Sequence, residues 1–71
     1  MNLSNFSNLE YIYVANTLVS TVDFGTVSHV LGVNMPNNKI TTLDLSNLFN
    51  LGFLTLTNNE LTNLNVKNNH I

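Results

Sequence analysis

Apolar and polar positions along the chain repeat with a period of 21 residues. Shifting the sequence on itself by 21 positions aligns three units without a gap and places apolar residues in seven columns. Polar columns align as well, which scattered matches in a Leu-rich chain would not produce. The apolar columns are Leu3, Phe24, Leu45 and Val66; Phe6, Val27 and Leu48; Leu9, Val30 and Leu51; Ile12, Val33 and Leu54; Val14, Met35 and Leu56; Val19, Ile40 and Leu61; and Val22, Leu43 and Leu64.

Each unit contains two short segments in which apolar and polar residues alternate, such as residues 43–45 and 54–56. Alternation over three residues predicts a short strand with two side chains directed inward and one outward. No apolar stripe with helical spacing spans a unit. We therefore expect one solenoid turn per unit, with two strands per turn and little or no helix. The predicted strands lie around residues 2, 23, 44 and 65 on one side, and around residues 13, 34 and 55 on the other.

The chain is expected to form a single solenoid domain over residues 1–71. Its turns span approximately residues 1–21, 22–42 and 43–63, and residues 64–71 form a partial turn, which gives about three and a third turns. Successive turns should stack about 4.8 Å apart. One turn buries too little apolar surface to fold alone, so stacking must supply hydrogen bonds and shared burial.

Asn is the most abundant residue, and a subset of the Asn residues falls at the predicted corners between strands. A tight corner leaves main-chain N–H and C=O groups without ladder partners. An Asn side chain offers both donors and an acceptor, and stacked Asn side chains can also bond to one another. Thr17 replaces Asn at one corner of the first turn, which should weaken it. The predicted structural corners are Asn16, Asn37, Asn38, Asn58 and Asn59.

The spacing of these residues resembles the leucine-rich-repeat motif LxxLxLxxNxL. Residues 51–61 match it at every fixed position, residues 30–40 match it with apolar exchanges, and residues 9–19 match it except at Thr17. Residues 40–48 are similar to the LxxLDLxxL half of the short 21-residue repeats common in bacterial surface proteins. The resemblance implies a right-handed, β-rich solenoid of the leucine-rich-repeat superhelix type, with its first-strand face as the usual partner surface.

Both ends of the predicted solenoid lack capping elements, which leucine-rich-repeat proteins usually carry. Core columns begin at once at the N-terminal end, whereas Asn69 interrupts an apolar column near the other end. We expect another copy, a different subunit or further repeats of a longer array to cover these ends. Simple head-to-tail stacking of copies would leave one strand missing on the side that contains residues 13, 34 and 55. The predicted end-stacking residues are Met1, Leu3, Phe6, Leu64, Val66 and Ile71.

Composition and charge exclude several classes of function. The 71 residues are 44% hydrophobic and 8% charged, contain no Cys and carry a formal net charge of −2. Two Lys residues neutralise too few phosphates for ordinary nucleic-acid binding, and no apolar run reaches the length of a membrane span. No secretory signal is recognisable. The localisation is unknown, and the low charge and the Asn, Thr and Ser content suggest an extracellular or virion surface.

The first-strand face carries the aromatic residues that could contact a partner. Aromatic side chains are enriched at interface hot spots, so this face is a candidate for protein recognition. The alternative is that these side chains are scattered cross-strand packing pairs. The candidate partner-binding residues are Tyr11, Tyr13, Asn34, Phe53 and Thr55.

Candidate chemical groups are few. Asp23 and Asp44 should lie one turn apart, where they could share a cation or form part of a solvated polar ladder; we favour the ladder. His29 and His70 fall in predicted turns without a surrounding ligand set. No Ser residue has a systematically placed base beside it. We therefore predict no catalytic residue, no metal site and no cofactor.

These observations favour two functions that depend on protein contacts. The first is a non-enzymatic structural subunit of a fibre, sheath or virion-type assembly, joined to itself or to another subunit through uncapped ends. The second is a recognition module, or a fragment of a larger surface protein, that binds a partner on its strand face. A homo-oligomer or a part of a larger assembly is expected in the first case, and an enzyme is a distant third.

Overall fold

A computed structural model of the chain describes residues 1–26 and 29–69. Within these residues the chain forms five short strands and no helix. Tyr11–Tyr13 form β1, Gly32–Asn34 form β2, Thr42–Asp44 form β3, Phe53–Thr55 form β4 and Asn63–Asn65 form β5. The predictions of a strand-rich chain and of little or no helix are confirmed for this part of the sequence.

The strands form two parallel sheets in which sequence neighbours alternate between the sheets. Sheet 1 has the strand order β1-β2-β4, and sheet 2 has the order β3-β5. Every pairing advances by one 21-residue unit: Tyr11 pairs with Gly32, Gly32 with Phe53, and Thr42 with Asn63. We call each stacked strand position a rung. The period found in the apolar columns is therefore the register of both sheets.

Sheet 2 differs from the predicted second side in its first two rungs. Around Asn2 and Asp23 the chain forms a single parallel bridge rather than a three-residue ladder. The main-chain bonds that make this bridge run from Leu3 N to Asp23 O and from Asp23 N to Met1 O, each at 2.8 Å. Four strands were expected on this side, and the described residues form two strands and this bridge.

The apolar core receives side chains from both sheets and from the segments between them. Ile12 and Val33 enter it from sheet 1, and Leu43 enters it from sheet 2. Each fully buried side chain of this size contributes about 1.5–3 kcal/mol relative to exposure. The most completely buried large side chains belong to the middle of the chain; they are Val30, Val33, Met35, Ile40, Leu45, Leu48 and Leu51.

Asn side chains connect neighbouring rungs where the chain passes from sheet 1 to sheet 2. Asn38 is buried, and its Nδ2 donates to Val14 O at 2.9 Å and to Met35 O at 3.0 Å. Its Oδ1 accepts from Thr17 N at 3.0 Å and from the Thr17 hydroxyl. Asn59 repeats the donor half of this pattern one unit later, since its Nδ2 donates to Met35 O at 2.8 Å. Its Oδ1 accepts from a different main-chain group, Ile40 N, at 3.1 Å. Both amides therefore satisfy main-chain groups of the preceding unit.

A second column of Asn residues shapes the backbone of the same corner. Asn16, Asn37 and Asn58 all have left-handed backbone conformations, with φ of 59°, 60° and 58°. Asn tolerates this conformation better than other residues with a side chain, because its short polar group bonds locally. Asn58 Nδ2 also donates to Asn37 Oδ1 at 2.8 Å, one unit away. This column therefore supplies both the turn and a side-chain bond along the stack.

The passage from sheet 2 to sheet 1 begins with a different turn. Asp23 Oδ1 accepts from Gly25 N at 2.8 Å, and Asp44 Oδ1 accepts from Ser46 N at 2.9 Å. The same two-residue turn occurs where Asn2 Oδ1 accepts from Ser4 N and where Asn65 Oδ1 accepts from Lys67 N. The residues of this column, which the sequence suggested to be a solvated polar ladder, are exposed, and each of them also caps a main-chain N–H two residues ahead.

Gly25 fits this turn for two physical reasons. Its φ of +64° is left-handed, and a Cβ at this position would lie 2.8 Å from Ser4 Cβ and 3.0 Å from Ser4 Cα. Since Ser4 belongs to the preceding unit and the clash includes its main chain, only glycine allows this close approach.

Candidate interaction surfaces

The outward face of sheet 1 brings together all five predicted partner-binding residues. Tyr11, Gly32 and Phe53 lie in one row across the three rungs, and Tyr13, Asn34 and Thr55 lie in the next row. The residue between the two rows points inward in each strand, as the alternation along a strand requires. Tyr11 and Tyr13 are each 70% exposed, whereas Asn34 and Thr55 are half-buried. The aromatic rings therefore form the accessible part of this face.

Gly32 allows two aromatic rings to converge on the middle strand. A Cβ at Gly32 would lie 3.0 Å from Tyr11 Cδ1 and 3.6 Å from Phe53 Cδ2, so both rings lie over its main chain. Gly32 itself is buried although it lies on the outward face. Sequence reasoning did not identify this role; the signal was a single glycine between two aromatic residues of one column. The result is an aromatic cluster of Tyr11, Gly32 and Phe53.

The apolar columns are closed in the middle of the chain and open at its two ends. In one column, Phe24 is 5% and Leu45 is 0% exposed, but Val66 is 39% exposed. In the neighbouring column, Leu43 is 4% exposed and Leu64 is 41% exposed. Each middle residue is covered by the next rung, whereas the last residue of each column has no such cover within the described part of the chain.

The N-terminal end shows the same feature, with less regular backbone pairing. Met1 and Phe6 are exposed, and Leu3 is half-buried. The Met1 ammonium group donates to Thr21 O at 2.7 Å, which places a positive charge at this end. Of the six predicted end-stacking residues, Ile71 lies outside the described residues, and so does Val27 in the apolar columns.

The last strand of each sheet, β4 in sheet 1 and β5 in sheet 2, has main-chain groups that point away from its paired neighbour. Met35 N donates to Thr55 O at 2.9 Å, so the main chain of Thr55 faces β2. Because the direction alternates along a strand, the N–H and C=O groups of Leu54 face the open edge of β4. Leu45 N likewise donates to Asn65 O at 2.9 Å, so the main-chain groups of Leu64 face the open edge of β5. Each sheet thus ends in one outward-facing donor and acceptor pair.

Asn69 forms a further corner that sequence reasoning missed. It interrupts an apolar column, yet its Nδ2 donates to Leu45 O at 2.9 Å and to Leu48 O at 2.8 Å. The bond to Leu45 spans 24 residues, as do the bonds from Asn38 to Val14 and from Asn59 to Met35. Asn69 Oδ1 is buried without a hydrogen-bond partner in the described structure. The 21-residue pattern carries no signal for this role, because the residue one unit before Asn69 is Leu48 rather than Asn.

The acidic residues lie beside a shallow cleft between two units. Asp23 and Asp44 both line this cleft of about 150 Å³, together with apolar side chains such as Phe24 and Leu48. The Ser46 hydroxyl and the Ser46 main-chain N–H both bond to the Asp44 carboxylate, and they lower the pKa of Asp44 below 3.8. Residues 1–26 and 29–69 contain no group of three or more His, Cys, Asp or Glu side chains able to hold a metal ion.

His29 is exposed, and His70 lies outside the described residues. The described segments contain no helix long and apolar enough to cross a membrane. Comparison of the chain with protein-family models, with curated proteins and with solved structures gives no match.

Proposed function

We propose that this chain is a non-enzymatic structural subunit, a right-handed solenoid of the leucine-rich-repeat type, that associates with further copies through its ends. The observation that carries the proposal is the exposure of Leu64 and Val66, which occupy columns whose middle members are at most 5% exposed. An apolar column that is closed by stacking in the middle of the chain favours closure by stacking at its end.

Three further features support the solenoid and its association. The 21-residue register of both sheets, the absence of helix in the described part, and the Asn corners are those expected of short leucine-rich repeats. The low charge offers little electrostatic resistance to association. Open strand edges are templates for pairing with another chain, which natural proteins normally block with charge, proline or a cover.

The proposal predicts that the purified chain sediments as a species larger than its 7.9 kDa monomer. Val66→Asp places a charge in the uncovered column, and we expect it to shift the chain to monomer with an unchanged far-UV circular dichroism spectrum. Phe49→Asp is the matched control, since Phe49 is also an exposed apolar residue but lies on the turn between β3 and β4. A wild-type chain that stays monomeric at millimolar concentration would overturn the proposal.

A second function, recognition of a partner on the face of sheet 1, is favoured by the aromatic cluster of Tyr11, Gly32 and Phe53. Two exposed rings held over a glycine form a rigid apolar surface of the kind found at interface hot spots. Tyr11→Ser separates the two functions, because it removes a ring without touching either end. If it abolishes association while Val66→Asp does not, the face rather than the ends is the contact surface.

A further inference from the structure

We propose that the outward face of sheet 1 binds a neutral polysaccharide, of the class whose sugar rings carry their hydroxyl groups around the ring edge. The proposal rests on the second function above, recognition on this face, and specifies its partner; it does not depend on association through the ends. Because the face is perpendicular to the stacking direction, a further rung would extend it and would not cover it.

The first row of this face is an aromatic surface that spans three rungs. Tyr11 and Phe53 are 70% and 53% exposed, and they lie two rungs apart, or about 10 Å. Both rings rest on the main chain of Gly32, since a Cβ there would lie 3.0 Å from Tyr11 Cδ1 and 3.6 Å from Phe53 Cδ2. Rings supported in this way lose little side-chain freedom when a ligand stacks on them.

The second row is polar, and its side chains have unused hydrogen-bonding groups. Tyr13, Asn34 and Thr55 follow one another across the rungs, about 4.8 Å apart. Within residues 1–26 and 29–69, none of these three side chains bonds to another part of the chain. Asn34 is half-buried, so its amide depends on solvent or a ligand for its partners. A ligand that brings hydroxyl groups to this row can take the place of that water.

The arrangement of the two rows matches the two surfaces of a sugar ring. The rows lie about 7 Å apart along the strands, so an aromatic surface and a hydrogen-bonding edge are side by side. A pyranose ring with equatorial hydroxyl groups has C–H bonds on its faces and hydroxyl groups around its edge. Its face can therefore stack on the aromatic row while its edge bonds to the polar row. Chains of β-1,4-linked glucose or N-acetylglucosamine repeat this surface along a flat ribbon.

The electrostatics of the face favour a neutral ligand. None of the six outward positions of β1, β2 and β4 carries a charge. Glu10 is the one charged residue that directly flanks a strand of this sheet in the sequence, and the chain has a net charge of −2. An anionic polymer therefore finds no cation among these positions. A wholly apolar protein surface would fit less well, because it would leave the polar row without partners.

Titration of the isotopically labelled wild-type chain with cellohexaose or chitohexaose tests the proposal. We expect NMR shifts of the main-chain amides at residues 11–13, 32–34 and 53–55, and a change in tyrosine fluorescence, which no Trp obscures. Tyr11→Ser should weaken binding about tenfold, because it removes one of the two rings. Phe49→Ser is the matched control, since Phe49 is 50% exposed but lies on the turn between β3 and β4, and it should leave binding unchanged.

Asn34→Leu distinguishes a sugar ligand from a protein ligand. It removes the amide at nearly constant shape, so it should weaken sugar binding severalfold, whereas an apolar protein contact would become tighter or stay the same. If neither oligosaccharide shifts the amide resonances of sheet 1 at millimolar concentration, the proposal is overturned. Sedimentation of the same sample then reports independently on association through the ends. An oligomer that Tyr11→Ser dissociates and Asn34→Leu does not would identify a protein contact on this face; it would also overturn the sugar ligand and keep recognition on the face.

Discussion

The two connections between the sheets stabilise the stack in different ways. From sheet 1 to sheet 2, main-chain N–H groups bond to another unit, as Asn37 N does to Thr57 O at 2.8 Å and Lys39 N to Val19 O at 2.9 Å. From sheet 2 to sheet 1, they bond three residues back within the same unit, as Leu48 N does to Leu45 O and Leu51 N to Leu48 O.

The side chains follow the same division. The amides of Asn38 and Asn59 reach into the preceding unit, whereas the carboxylates of Asp23 and Asp44 cap a main-chain N–H two residues ahead. We infer that the first connection bonds to the preceding unit through both its main chain and its side chains. The second keeps its main-chain groups satisfied within its own unit, and it reaches the preceding unit at its last turn, where Asn68 Nδ2 donates to Ser46 O and Asn69 Nδ2 to Leu45 O.

Pairing within the Asp-containing column fits this division. Asn2 pairs with Asp23, and Asp44 pairs with Asn65, but Asp23 and Asp44 form no pair. Like charges directly opposite each other on neighbouring strands destabilise a sheet. The caps of Asp23 and Asp44 bond locally and do not offset this repulsion, and both residues line the cleft described above.

Asn38→Ala is the substitution that should show the largest difference between the two connections. The substitution removes four hydrogen bonds, leaves buried main-chain groups unsatisfied and should lower the free energy of unfolding by about 3–4 kcal/mol. For a domain with a total stability of about 4–10 kcal/mol, this is a large fraction. Chemical denaturation followed by circular dichroism measures it. Asp44→Ala, which removes only a local cap, is the control, and an equal loss for both variants would contradict the division between the connections.

The column of Asn residues with positive φ allows a second test within the first connection, with a smaller expected loss of stability. Asn37→Ala should cost about 1–2 kcal/mol, because a Cβ without a local polar group disfavours positive φ. Asn37→Gly loses the same side-chain bond from Asn58 but accepts the conformation. The difference in unfolding free energy between the Ala and Gly variants therefore isolates the backbone contribution. If the two variants are equally stable, the conformation of this corner does not depend on Asn.

Much of the architecture could be predicted because the apolar columns repeat every 21 residues and paired strands are also offset by 21 residues. The 21-residue spacing indicates which residues pair, and the amide of Asn38 was expected at a corner for its mixed donor and acceptor groups. The positive φ of Asn37 was not predicted, because it depends on backbone geometry that a polar column does not specify. The role of Gly32 was missed for a similar reason, since it arises from rings contributed by two other strands.

The side with Asp residues was the least predictable part. Its alternating triplets matched those of the other side, and four equivalent strands were expected. Whether they pair depends on the residue opposite, and Asp23 and Asp44 are the one adjacent pair in this column with the same charge. We infer that the difference between amide and carboxylate, which a column of similar polar residues conceals, decides the pairing.

Asp23→Asn tests this explanation and should stabilise the chain by about 0.2–1 kcal/mol. The amide oxygen can still accept from Gly25 N, as Asn2 and Asn65 do at their own turns. We expect slower hydrogen exchange of the main-chain amides at residues 22–24 and 43–45. The difference in stability between the variant and the wild type should shrink as the salt concentration rises, because salt screens the repulsion between the exposed carboxylates of the wild type. Unchanged exchange would show that another feature opens the cleft.

The smallest expected effect concerns the cap of Asp44. Its pKa is lowered chiefly by the Ser46 hydroxyl, then by the Ser46 main-chain N–H. A folded-state pKa below the unfolded value means that the carboxylate adds stability above about pH 3.8, and that this contribution is lost as the pH falls through the folded pKa.

Ser46→Ala should raise the pKa of Asp44 only part of the way to 3.8, because the main-chain donor remains. A carboxyl NMR titration of the wild type and the variant measures the shift. If the pKa of Asp44 does not move, the hydroxyl is not the main stabiliser of its charged form, and the cap depends on the backbone alone.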